Sequence, residues 1–224
     1  MGYYIDLKKI KINQYQEKLK SADLLPSRMI LKENIESYFE LIKAQGISNV
    51  EELLKTIDTK KKVQQFSKQS KVNENYLTIL AREVKGYRQK PNKIKDFPNL
   101  SPEITEKLEK TGIKNTSQLY NKIITPKDRK QLSKELRTQE QKVLKLTQLA
   151  DLSRIRWVNH TFAYVLLEAG YDTAQKVANA HHEELYKTVK QLNKERQIYK
   201  GHIGLHDMKL CVEAANDLDF EIDY

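Results

Sequence analysis

Apolar residues recur three and four positions apart along most of this chain, the spacing that gives a helix one buried face. Ile35, Tyr38, Phe39, Leu41 and Ile42 carry it in a predicted helix that follows Pro26 and runs to about Gln45. Before it, Asn13 is placed to cap a helix reaching about Ala22, which Leu24-Leu25-Pro26 ends because proline fixes φ and disfavours helix at the preceding residue. Gly46 stands at the C′ position, where a left-handed backbone is cheap for glycine. Ser48 or Asn49 then caps a short helix through Leu53 and Leu54, and Thr59 opens the next, with Val63 and Phe66 inward. A turn over 71–73 leads to Tyr76-Leu77 and Leu80-Ala81. Further on, Ser101 is the natural N-cap and Pro102 the natural first residue of a helix ending at Gly112. Asn115 or Thr116 caps its successor, Thr125-Pro126 starts another, and Thr138 with Glu140 opens one that is apolar at Val143, Leu144 and Leu146. The remaining predicted helices end at Gly170, begin at Asp172 or Thr173, span about His182 to Glu195, and span about Asp207 to Leu218. Strand-like alternation appears only in Asp217–Tyr224, which predicts a short edge strand or a frayed tail, while residues 3–12 could pair as a strand or lie as an arm.

The pattern repeats. Residues 46–83 lie on 112–149 at a constant offset of 66: Gly46-Ile47 on Gly112-Ile113, Leu53 on Leu119, Ile57 on Ile123, Thr59 on Thr125, Leu80 on Leu146. Leu166-Leu167-Glu168-Ala169-Gly170-Tyr171 repeats the helix–glycine–apolar order a third time. A period of this size is one helical unit that buries its apolar face against its neighbours. The expected fold is all-α, built of tandem helical repeats: an N-terminal arm and helix over 1–25, then units over 26–90, 91–149 and 150–224.

Composition narrows the function. A hydrophobic share of 39% against a charged share of 31% fits an elongated helical protein better than a compact enzyme. The net charge is +10, unevenly spread. Residues 60–95 hold eleven Lys or Arg against Glu74 and Glu83, whereas residues 150–224 are net acidic. A basic middle favours a polyanionic partner; lysine used for solubility is the plainer alternative. Cys211, the only cysteine, excludes a disulfide framework and a cysteine-based zinc site. No apolar run reaches the roughly 20 residues of a membrane span. The first residues lack the apolar core of a signal peptide, and Asp6 stands where a myristoylation signal needs Ser or Thr. The reading is a cytoplasmic protein with no membrane partner.

Candidates for chemistry are weak. His181-His182-Glu183-Glu184-Leu185-Tyr186 is not the zinc-binding His-Glu-x-x-His pattern, because position 186 is Tyr. His202, His206, Asp207 and Cys211 lack the tight spacing of a ligand set, and Gly204 interrupts them. The acids Asp217, Asp219, Glu221 and Asp223 read as a solvated edge. No metal, no cofactor and no catalytic residue is assigned. The residues expected to meet a phosphate backbone are Lys60, Lys61, Lys62, Lys85, Arg88, Lys90, Lys93 and Lys95.

Two turns align at an offset of 58: Phe97-Pro98-Asn99-Leu100-Ser101-Pro102 with Ile155-Arg156-Trp157-Val158-Asn159-His160. Each resembles the helix-hairpin-helix turn, and the stretch from Leu24 onward resembles a bacterial domain-of-unknown-function family of tandem units of that kind, most specifically over 151–178. The resemblance implies hairpins whose backbone N–H groups hold a DNA phosphate. The glycines of that motif are replaced by Asn99 and Ser101 in one turn and by Trp157 and Asn159 in the other, with Leu100 and Val158 keeping the apolar middle. Ser101 and Asn159 can still cap helices, but an indole at 157 stands where a phosphate would approach. Trp157 is expected to pack against a neighbouring unit, as large aromatics at helix–turn junctions usually do; exposed, it would stack on a base. The sequence thus points to a non-enzymatic protein contacting nucleic acid without sequence preference. The alternatives are a protein–protein scaffold with structural hairpins and, third, a relative of DNA-processing enzymes.

Overall fold

Asparagine, serine and threonine side chains start eight of the helices, and each accepts a backbone N–H that the first turn leaves unmatched. The computed structural model describes residues 2–224, among which there are thirteen α-helices and no strand. The chain forms two compact units, one of residues Asp6–Gln89 and the other of residues 2–5 with 90–224.

The first unit comprises α1 (Ile12–Ser21), a 3-10 segment over Pro26–Lys32, α2 (Ile35–Ala44), α3 (Val50–Ile57), α4 (Lys60–Ser70), α5 (Glu74–Lys85) and a 3-10 turn over Gly86–Arg88. Tyr15, Phe39 and Tyr87 meet in its core, with ring centroids 6.3 and 6.2 Å apart. Buried Glu83 pairs with Arg28, and the Tyr76 hydroxyl donates to the Leu31 carbonyl at 3.2 Å. Two boundaries differ from expectation. The single helix predicted from Pro26 to Gln45 is broken at Asn34, whose left-handed φ of 48° separates the 3-10 segment from α2. Helix α1 begins at Ile12, two residues before a cap by Asn13 would allow, because the Gln14 side chain accepts the Lys11 N–H at 3.2 Å.

The second unit comprises a 3-10 turn over Ile94–Asp96, then α6 (Pro102–Lys110), α7 (Thr116–Tyr120), α8 (Pro126–Glu135), α9 (Glu140–Leu152), α10 (His160–Glu168), α11 (Ala174–Ala178), α12 (His182–Arg196) and α13 (Leu205–Asn216). Helix α9 packs on α7 and α8 in one core and on α10 in the other. Leu100 touches both cores. Residues 219–224 form no strand, which corrects the edge-strand expectation, because their polar groups bond to helix and turn residues instead of to a neighbouring strand. Asp223 N–H donates to Ile124 O at 2.9 Å, Asp219 O accepts from Arg154 at 2.7 Å, and the Tyr120 hydroxyl donates to Glu221 at 3.2 Å.

Those contacts belong to a buried polar network around α9. The Asp151 carboxylate accepts from Arg154 at 3.0 Å, from the Ala174 N–H at 2.9 Å and from the Tyr224 hydroxyl at 3.1 Å. Arg154 also donates to the Tyr3 carbonyl at 3.2 Å and lies over the Tyr120 ring at 4.7 Å. The Tyr3 hydroxyl meets Thr116 Oγ1 at 2.7 Å, so the network reaches the start of α7. Burial pushes the Tyr3 and Tyr224 hydroxyls upward, which keeps both protonated as donors.

One local arrangement occurs three times. Gly46, Gly112 and Gly170 end α2, α6 and α10 with φ of 81°, 84° and 89°. Each is followed by an inward residue and then by an N-cap, Asn49, Asn115 or Thr173, that accepts from the N–H three residues on at 3.0, 3.0 and 3.1 Å.

Candidate nucleic-acid interface

Ile94 is the residue around which the cationic site is built. It is 2% exposed, and its flanking neighbours Lys93 and Lys95 consequently face solvent. Its N–H donates to the Lys114 carbonyl at 3.0 Å, and the Thr116 N–H donates to the Asn92 carbonyl at 2.9 Å. These two bonds hold residues 92–94 antiparallel to 114–116, with Lys93 opposite Asn115. The result is a recess of about 260 Å³ lined by Lys90, Pro91, Lys93, Lys95, Glu109, Lys114 and Asn115. Four lysines and one glutamate line it, and no ion pair within 4.0 Å engages any of the four among the described residues. The first unit has the same backbone pairing, Lys11 opposite Asn49, with Ile12 buried in place of Ile94. There Ser48 stands where Lys114 does and donates to Glu52 at 2.8 Å, so a carboxylate takes the place of a lysine in that copy. The Ser48 N–H and hydroxyl hold the Glu52 carboxyl below its ordinary range, and it stays charged.

The sequence-predicted cations divide between the two units. Lys60, Lys61 and Lys62 occupy the first turn of α4, where the helix dipole disfavours positive charge. Lys62 is engaged by Asp58 at 3.0 Å and donates to Lys55 O at 2.8 Å. Lys85 is exposed in the last turn of α5, and Arg88 is paired with buried Glu51. Lys90, Lys93 and Lys95 meet in the recess of the other unit. Lys114 completes it and was not singled out in the sequence. The signal available was its place in the repeated Gly112-Ile113-Lys114-Asn115, one residue before a cap.

Both hairpin turns hold their third residue in the left-handed region, Asn99 at φ 55° and Trp157 at φ 70°. The Asn99 amide donates to the Tyr164 hydroxyl at 2.7 Å, Leu100 is half-buried, and Ser101 Oγ accepts the Ile104 N–H at 3.4 Å. Val158 is buried at 3%, and Asn159 Oδ1 accepts the Phe162 N–H at 2.9 Å. Trp157 is 44% exposed, which corrects the expectation that it packs inward. Val158 takes the inward place in this turn, and the indole lies outside with the Arg156 guanidinium 4.0 Å from its ring centre. The turn adjoins the recess: Asn92 Nδ2 donates to the Val158 carbonyl at 3.3 Å and to Ser153 Oγ at 3.0 Å.

The other reactive groups stay apart from this surface. Cys211 is buried in the α10–α13 core, and its thiol is pushed up to about 12, so it is not a nucleophile at neutral pH. Among the described residues no three His, Cys, Asp or Glu side chains are grouped so as to hold a metal ion, and no helix is long and apolar enough to cross a membrane.

The family described as Domain of unknown function (DUF4332) matches residues 98–218, more than half of the chain. The chain belongs to this family. No curated protein and no solved structure matches it. The DUF4332 segment covers α6 to α13, both hairpin residues Asn99 and Trp157, and Lys114. Lys90, Lys93 and Lys95 lie just before it, so the recess joins the DUF4332 segment to the stretch of chain that precedes it.

Proposed function

We propose that this protein binds nucleic acid through its sugar-phosphate backbone without reading sequence, and that the recess of Lys90, Lys93, Lys95 and Lys114 is the centre of that contact. The observation that carries the reading is four lysines lining one recess with no carboxylate in ion-pair range among the described residues. Such an unneutralised cluster suits a polyanion, whose condensed counterions are released on binding. The role proposed is binding rather than catalysis. The turns at 97–102 and 155–160 serve as helix-hairpin-helix-like secondary contacts, in which the caps Ser101 and Asn159 keep the turn while the lost glycines reduce its hold on phosphate.

Fluorescence anisotropy with a labelled random oligonucleotide tests this. Affinity is expected to fall steeply with salt, by about 0.9 in log K per phosphate neutralised for each decade. Replacing Lys90, Lys93, Lys95 and Lys114 together with Gln removes most of the binding and flattens the slope. Replacing Lys60, Lys61 and Lys85 with Gln leaves most of it. Undiminished affinity in the first variant, or no binding at low salt, overturns the proposal.

A further inference from the structure

Trp157 combines three properties that the fold alone does not require. It is the only tryptophan of the chain. It is 44% exposed. It holds φ at 70°, a conformation that costs a residue with a Cβ roughly 1–2 kcal/mol and that Asn or Gly would adopt more cheaply. Asn99 fills the equivalent place in the other turn. A large aromatic stands part-exposed in a left-handed turn, and strain of this kind gathers at binding sites. The position is also specific. Trp157 precedes Val158, whose carbonyl accepts from Asn92, and Asn92 stands between recess residues Pro91 and Lys93. Covalent reach across that bond puts the Trp157 and Lys93 α-carbons no more than about 17 Å apart. The Arg156 guanidinium on the ring adds positive charge beside it.

We infer that the chain prefers single-stranded nucleic acid: lysines of the recess hold the phosphates of a strand while the Trp157 indole stacks on one of its bases. This rests on the backbone reading above and adds strand preference to it. Stacking needs an unpaired base face, which a duplex keeps inside, and it is tolerant of sequence because every base has a π-face.

The test uses the full chain with three probes of equal length: a mixed-sequence single strand, its duplex, and an abasic strand carrying phosphates without bases. Emission from Trp157 is expected to be quenched on saturation with the intact single strand and unchanged with the abasic one. Trp157→Asn suits the left-handed turn, so it should melt at or above the wild-type temperature. It should bind the single strand roughly five- to hundredfold more weakly, the effect of losing one stacked base. Its duplex affinity should change far less than its single-strand affinity, and Trp157→Phe should recover part of the loss. Unchanged single-strand affinity in Trp157→Asn, or an equal loss for duplex and single strand, overturns the stacking while the backbone reading stands. Failure of wild type to bind any probe at low salt overturns both.

Discussion

Gly112 ends α6 at φ 84°, and a Cβ built there would meet no atom within 4 Å. Its value is therefore conformational and has no packing component. Gly112→Ala is expected to cost about 1–2 kcal/mol, the penalty of a left-handed backbone for a residue with a Cβ. Gly112→Asn should cost less, because its short polar side chain suits that region. Urea denaturation of the two variants measures the difference; equal losses would mean that the glycine is held by something other than its φ. Trp157 shows the opposite choice at a similar backbone angle, where the chain keeps a bulky residue despite the strain.

Helices α9, α10 and α12 are joined on their surfaces by Glu168, which pairs with Lys145 at 3.1 Å and Arg196 at 2.6 Å. Burial alone would raise this carboxyl, but the hydrogen bonds from Lys145 and Arg196 outweigh it and hold it below its ordinary 4.5. A depressed folded value means the stabilisation is fully present above pH 4.5 and is lost as pH falls through the lower folded value. Glu168→Gln should thus lower stability at neutral pH and have progressively less effect as the pH is taken below 4.5, as thermal melts across that range will show. The helices themselves were largely legible, because their boundaries lie in side chains that act locally: Ser101, Asn115 and Asn159 are caps in sequence and in structure. The break at Asn34 was not, since no glycine or proline marks it and left-handed asparagine has no pattern of its own. Lys90, Lys93 and Lys95 were legible as a charge run. Lys114 joins them only through backbone bonds between segments some twenty residues apart, and Val158 displaces Trp157 outward through packing that periodicity does not record.

The network around Asp151 gathers residues from the first described positions, from α9 and α11, and from the last stretch of the chain. Asp151 and Arg154 are 4% and 7% exposed, so either charge left alone would be stranded in the interior. Asp151→Ala is expected to lose about 3–5 kcal/mol, the usual effect of removing one partner from a buried pair. Combining it with Arg154→Met should cost less than the sum of the single changes, because the stranded charge goes too. Denaturant titration of the three variants reads the coupling; simple additivity would mean that the two side chains act independently.

Three of the four lysines around the recess come from residues 90–95, upstream of the DUF4332 match, and only Lys114 comes from within it. The matched helices and most of the recess's charge therefore lie in different stretches of this chain. A relative that shares the helices of 98–218 but enters them through a neutral leader would inherit the platform without the means to grip an anion. Grafting this chain's upstream hexapeptide onto such a relative is a way to ask whether the proposed contact moves with the charge while the fold stays the same.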